Sequence, residues 1–97
     1  MNMQQMMKQA QKMQEKMQKE IAEISVEGSA GGGMVTVTMT GNHGVTAVRI
    51  KPDVVAQNDV EMLEDLVRAA LSDANRKVEE AIASKMSGMR MPPGLGF

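Results

Sequence analysis

The stretch Met34-Val35-Thr36-Val37-Thr38-Met39-Thr40 alternates, from Val35 on, an apolar side chain with a hydroxyl. Successive residues of a strand face opposite sides, so this period of two describes a half-buried antiparallel strand with Val35, Val37 and Met39 inward and the threonines outward. Turn residues bound it, Gly31-Gly32-Gly33 before and Gly41-Asn42-His43-Gly44 after. Moving outward, Ser25 to Ala30 reads as a short strand and Val45 to Lys51 as another, with Val48 and Ile50 facing one way and Arg49 and Lys51 the other. Three strands in a meander are enough for a sheet with one apolar face.

On either side the period changes to that of a helix. Met3, Met6, Ala10, Met13, Met17, Ile21 and Ile24 recur at steps of three and four, while Lys8, Lys12, Lys16 and Lys19 fall on nearly the opposite side. Met, Gln, Lys, Glu and Ala are good helix formers, no Gly or Pro interrupts them, and Glu15 with Lys19 has the spacing of a favourable pair. After the sheet, Pro52 to Gln57 reads as a turn or one helical turn. A second long helix follows, with Asn58 and Glu61 in a capping pattern and Leu63, Leu66, Val67, Ala70, Leu71, Ala74, Val78, Ala81 and Ile82 on one stripe. Acids crowd its first turns and Lys85 sits at its end, as the helix dipole favours. The fold class is therefore α+β in the order α-β-β-β-α, a single domain over residues 1–86 with a Gly- and Pro-rich tail at 87–97.

The two helices, at about 22 and about 28 residues, would be about 33 Å and about 42 Å long. A compact domain of this size has a radius of gyration of about 13 Å, so one three-stranded sheet cannot cover both stripes. Phe97 is the only aromatic and there is no Cys, which leaves a thin core and no disulfide to reinforce it. A second copy of the chain is the expected partner, giving a homodimer.

Several chemistries are poorly supported. The single histidine, His43, is explained by its turn. No Cys/His cluster suits zinc, and no Gly-x-Ser-x-Gly elbow marks a nucleophile. The glycines from Gly28 to Gly33 lack the Gly-Lys-Ser/Thr ending of a phosphate loop and lead into a strand. The expectation is no enzyme, no cofactor and no small-molecule substrate. No segment reaches 18 consecutive apolar residues, and Met alternates with Gln and Lys where a secretory segment would be continuous, so a cytoplasmic protein without membrane contact is expected.

Net charge is −1, but it is unevenly distributed: +3 over residues 1–19, −3 over 20–27, +2 over 28–51, −5 over 52–73 and +2 over 74–97. Lys8, Lys12 and Lys16 rise about 6 Å apart along one side of the first helix, a pitch that can follow a phosphate backbone. The bland reading of the same row is a solvated face that keeps the protein in solution. Arg49 and Lys51 on the polar side of a strand could extend the positive surface, but no aromatic offers stacking and no motif reads bases. The methionine side suits packing; thioether coordination of Cu(I) and an adaptable surface for partner proteins are the competing readings.

The order of the Met/Gln/Lys helix, Val26-Glu27-Gly28-Ser29-Ala30-Gly31-Gly32-Gly33, Val35-Thr36-Val37, Val48-Arg49-Ile50-Lys51-Pro52, Glu61-Met62-Leu63-Glu64-Asp65-Leu66-Val67 and Pro92-Pro93-Gly94 resembles the YbaB/EbfC family of bacterial nucleoid-associated proteins. The resemblance implies a cytoplasmic, nucleoid-associated homodimer shaped like tweezers. It further implies binding of double-stranded DNA in gene regulation or recombination repair. Because the family's DNA contacts are attributed to its projecting helices, it points to Lys8, Lys12, Lys16 and Lys19 in the first helix and to Arg76, Lys77 and Lys85 in the last. The acidic segment at 52–73 departs from a strongly basic binder. The alternative is a dimeric protein-interaction adaptor whose lysines serve only solubility.

Overall fold

The computed structural model describes residues 2–88. The elements are α1 (Met3–Ala22), β1 (Ser25–Ala30), β2 (Val35–Thr40), β3 (Val45–Ile50), α2 (Pro52–Ala56) and α3 (Val60–Gly88). This is the expected α-β-β-β-α order, with Pro52 opening the short helix α2 where a single helical turn was one of the two readings. Most of the expected tail, from residue 89 on, lies outside the described residues.

The strands form one antiparallel sheet in the order β1-β2-β3. Gly28 pairs with Val37 and Val37 with Val48, while a register shift at Thr38/Met39 admits an irregularity opposite β3. As the alternation predicts, Val35, Val37 and Met39 are buried and the threonines between them are half-exposed. α3 lies across β1 and β2, and its Ala70, Ala74 and Val78 close the core over those β2 side chains. Fully burying a valine such as Val35, Val37 or Val78 contributes about 1.5–3 kcal/mol. Gly28 sets the closeness of this packing, because a Cβ there would overlap the backbone of Ala70 and Ala74.

α3 does not reach β3. Val48 and Ile50 pair with Val37 and Val35 and so share the inner face, yet they remain 50% and 37% exposed. A groove of about 540 Å³ runs between β3 and α3, lined by Ile50, Val60, Leu63, Val67 and Leu71.

One helix start differs from expectation. Asn58 is in the left-handed region at φ 54°, and it is Asp59 whose Oδ1 accepts the Met62 amide at 3.0 Å, so Asp59 rather than Asn58 caps α3. Asn tolerates the left-handed conformation, which frees the next carboxylate to cap.

α1 contributes no buried residue. Its Asn2 side chain caps the first turn by accepting the Gln5 amide at 2.8 Å. At the other end it is fixed to the β2–β3 turn: the Gly41 amide donates to the Ile24 carbonyl at 3.1 Å, and a Cβ on Gly41 would overlap the Ile21 carbonyl. From that anchor the helix projects away from the sheet, and the chain extends over 66 × 26 × 15 Å with a radius of gyration of 19.2 Å. Within one chain the methionine stripe is covered only where Met17, Ile21 and Ile24 meet the body.

Candidate nucleic-acid interface

α3 runs antiparallel to β1. Gly31 lies against Leu66, the Ser29 amide bonds to Asp73, the Glu27 carbonyl bonds to Lys77, and His43 of the β2–β3 turn is 3.6 Å from Glu79. α3 then continues past the sheet to Gly88, at the same end from which α1 projects. Folding leaves charge of both signs at each end of the molecule. At one end stand Lys8, Lys12, Lys16 and Lys19 of α1, with Glu15 and Glu20 among them, and Lys85 of α3 beyond Glu79 and Glu80. Asp53, Asp59, Glu61, Glu64 and Asp65 stand at the other, beside Ala30, Val35 and Ile50 and in excess over Arg49, Lys51 and Arg68. The hollow lined by Asp59, Glu61, Met62, Asp65 and Arg68 belongs to that acidic end and would repel a polyanion.

The seven cations named from sequence fall into two groups. Lys8, Lys12, Lys16 and Lys19 are exposed along α1, and Lys85 is exposed near the end of α3. Among the described residues none of these five has a carboxylate within 4.0 Å, and the Glu15–Lys19 pair anticipated from spacing is not closed. Arg76 and Lys77 are engaged instead. Arg76 spans two acids of its own helix, with Nη2 2.7 Å from Asp73 Oδ1 and Nη1 2.6 Å from Glu80 Oε1. Lys77 Nζ is 3.2 Å from Asp73 Oδ2 and donates to the Glu27 carbonyl at 2.8 Å.

Asp73, which the sequence reading passed over, is the centre of this arrangement. It accepts the Ser29 amide at 3.0 Å as well as the two cations. The Ser29 hydrogen bond first, then those of Arg76 and Lys77, hold its carboxyl at about 2, well below the usual 3.8. The Arg76 guanidinium is in turn held more firmly protonated by Asp73 and Glu80. The signal was present in part, because Arg76, Lys77 and Glu80 stand three or four residues apart from their partners on α3. The contact with Ser29, 44 residues away, was not.

Glu27 and Ser29 are two apart on β1, so their backbone groups point to the same side, the edge that β2 does not occupy. Asp73 and Lys77 thereby occupy the Ser29 amide and the Glu27 carbonyl at the free edge of the sheet at β1. At the opposite edge, the Lys51 amide bonds to the Met34 carbonyl, which turns the backbone groups of Val48 and Ile50 outward. Among the described residues nothing pairs with them.

Residues 1–92 match the model of the YbaB/EbfC DNA-binding family. The chain belongs to this family. It is 44% identical over 97 residues to a nucleoid-associated protein of Koribacter versatilis (strain Ellin345), covering 99% of this chain and 96% of that one. A nucleoid-associated protein of Nitrobacter winogradskyi is 48% identical over 82 residues, 80% of this chain and 77% of its own length. The crystal structure of an uncharacterized protein from Helicobacter pylori has the same fold, with a TM-score of 0.74 at 22% identity over 92% of this chain and 97% of that one. No helix among the described residues is long and apolar enough to cross a membrane.

Proposed function

We propose that this chain is a cytoplasmic, nucleoid-associated homodimer that grips duplex DNA through phosphate contacts from α1. Lys8, Lys12, Lys16 and Lys19 are the contacts, with Lys85 in support. The observation that carries the reading is that these four lysines line one side of a projecting helix and, among the described residues, have no carboxylate oxygen within 4.0 Å. Arg76 and Lys77 have a different part. Their charges are spent on Asp73, Glu80 and the Glu27 carbonyl, so they hold α3 to β1 and contribute little to the field that meets DNA. The contacts are to phosphate, so binding is weakly selective for sequence, and gene regulation or recombination repair follows from occupancy of the nucleoid rather than from an operator.

The dimer forms on the β3 side. The β1 edge is closed by α3 side chains, whereas β3 offers an unpaired edge together with the exposed Val45, Val48 and Ile50 and the apolar groove beside them. A second copy placed there covers apolar surface that one chain leaves in water and doubles the number of lysine rows. Replacing Lys8, Lys12 and Lys16 together by Ala and titrating binding against salt tests the DNA contacts; a light-scattering mass tests the dimer.

A further inference from the structure

We propose that Met3, Met6, Met7 and Met13 form an oxidation site, at which peroxide-class oxidants convert the thioethers to sulfoxides and so unwind the DNA-contacting helix. Four observations carry this. These side chains are 78%, 57%, 60% and 61% exposed, ahead of Met86 on α3 at 52% and Met34 at 36%, whereas Met39 in the core is 5% exposed. The chain contains no Cys, Trp or Tyr, so thioethers are its principal readily oxidised groups and no thiol competes for the oxidant. The four methionines stand on the same helix as Lys8, Lys12, Lys16 and Lys19. Finally, α1 buries no residue and meets the body only toward Met17 and Ile21, so over its methionine-rich first half its helicity rests on its Asn2 cap and on the propensities of its own residues.

The last point makes the modification consequential. A helix of 20 residues exceeds by only a turn or two the about 12–15 below which isolated helices are marginal, so lowering the propensity of four of its residues weighs on it. Met is among the good helix formers because it is unbranched and apolar. In the reaction the O–O bond of hydrogen peroxide breaks and an S–O bond forms. The sulfur gives up two electrons, and the other peroxide oxygen leaves as water. The product is polar and chiral, with a strong acceptor oxygen that competes with the backbone for hydrogen bonds. No lysine changes charge. The loss is one of geometry: once α1 frays, the lysines no longer keep the pitch that follows a phosphate strand. Methionine sulfoxide reductases, one for each epimer, restore the thioether.

The consequence for DNA rests on the DNA-binding reading above, but the chemistry and the unwinding do not, so three readouts separate them. The full-length protein is titrated with hydrogen peroxide and followed by peptide mass mapping, helical circular dichroism and duplex binding. The expected result is oxygen on Met3, Met6, Met7 and Met13 well before Met39. Up to about a third of the helical signal should be lost, since α1 supplies 20 residues beside helices of 5 and 29. Duplex affinity should fall about tenfold, with recovery after treatment with both reductases. A variant carrying Met3→Leu, Met6→Leu, Met7→Leu and Met13→Leu should keep its helicity and binding under peroxide. Oxidation of these four as slow as that of Met39 would overturn the proposal and place the stripe in an interface. Unchanged helicity after full oxidation of the four, or equal losses in the leucine variant, would overturn it as well. Loss of helicity without any change in binding would instead count against the DNA contacts.

Discussion

Asp73 Oδ2 on α3 accepts the backbone amide of Ser29 on β1 at 3.0 Å. This bond joins residues 44 positions apart and holds the last long helix to the outer strand. Together with Lys77 on the Glu27 carbonyl, it decides which edge of the sheet is closed and which remains open.

Asp73 sets the first prediction, and its sign follows from its ionisation. Its carboxyl is held at about 2 against an ordinary 3.8, so its contribution to stability is present above about 3.8 and is lost as pH falls through about 2. Asp73→Asn should therefore lower the denaturation midpoint at pH 6 and leave the variant closer to wild type at pH 2. Urea unfolding at the two pH values measures this; an equal gap at both would show that the charge is not what matters.

A second prediction concerns Gly28, where any side chain meets the backbone of Ala70 and Ala74. Gly28→Val should force α3 away from β1 and destabilise the fold by about 3 kcal/mol or more. Chemical denaturation reads the loss directly, and a change smaller than about 1 kcal/mol would mean that the helix can shift at little cost.

The open edge supplies a third. Val48→Asp places a charge beside the groove on a strand that one chain leaves half-exposed, so the monomer fold tolerates it while a dimer on that side does not. Light scattering at micromolar concentration should give the mass of one chain with wild-type circular dichroism. A dimer of unchanged affinity would move the interface elsewhere, with the α1 methionine stripe the next candidate.

The two groups of cations differ in what their removal should do. Lys12→Ala should reduce the dependence of log K on log salt by roughly 1 for each row in contact with DNA. Arg76→Ala removes a charge already paired with Asp73 and Glu80, so it should leave that slope near wild type while lowering thermal stability. Equal effects on the slope would return Arg76 to the interface.

Much of the fold was legible because its signals are local. The alternation from Val35 to Thr40 gives a strand, the step of three and four gives both helices, and Pro52 ends the sheet. What was not legible depends on where elements cross. Val48 and Ile50 carry the pattern of core residues, and only the position of α3 over β1 and β2 leaves them exposed. The α1 lysines read alike from sequence and structure, whereas Arg76 and Lys77 could be counted as free cations until their partners were known. Asp59 displaced Asn58 as the helix cap because the left-handed turn at Asn58 moves the start of α3 by one residue.

The most direct test of the α1 lysines as DNA contacts is the salt dependence of duplex binding, measured for the wild type and for the variant carrying Lys8→Ala, Lys12→Ala and Lys16→Ala. If a dimer engages four to eight phosphates, log K should fall against log salt with a slope of roughly −4 to −7, similar on random and defined duplexes. The variant should lose most of both affinity and slope while remaining folded and dimeric. A flat salt response in the wild type, or a variant that binds as tightly as the wild type, would contradict the assignment of the α1 lysines to DNA.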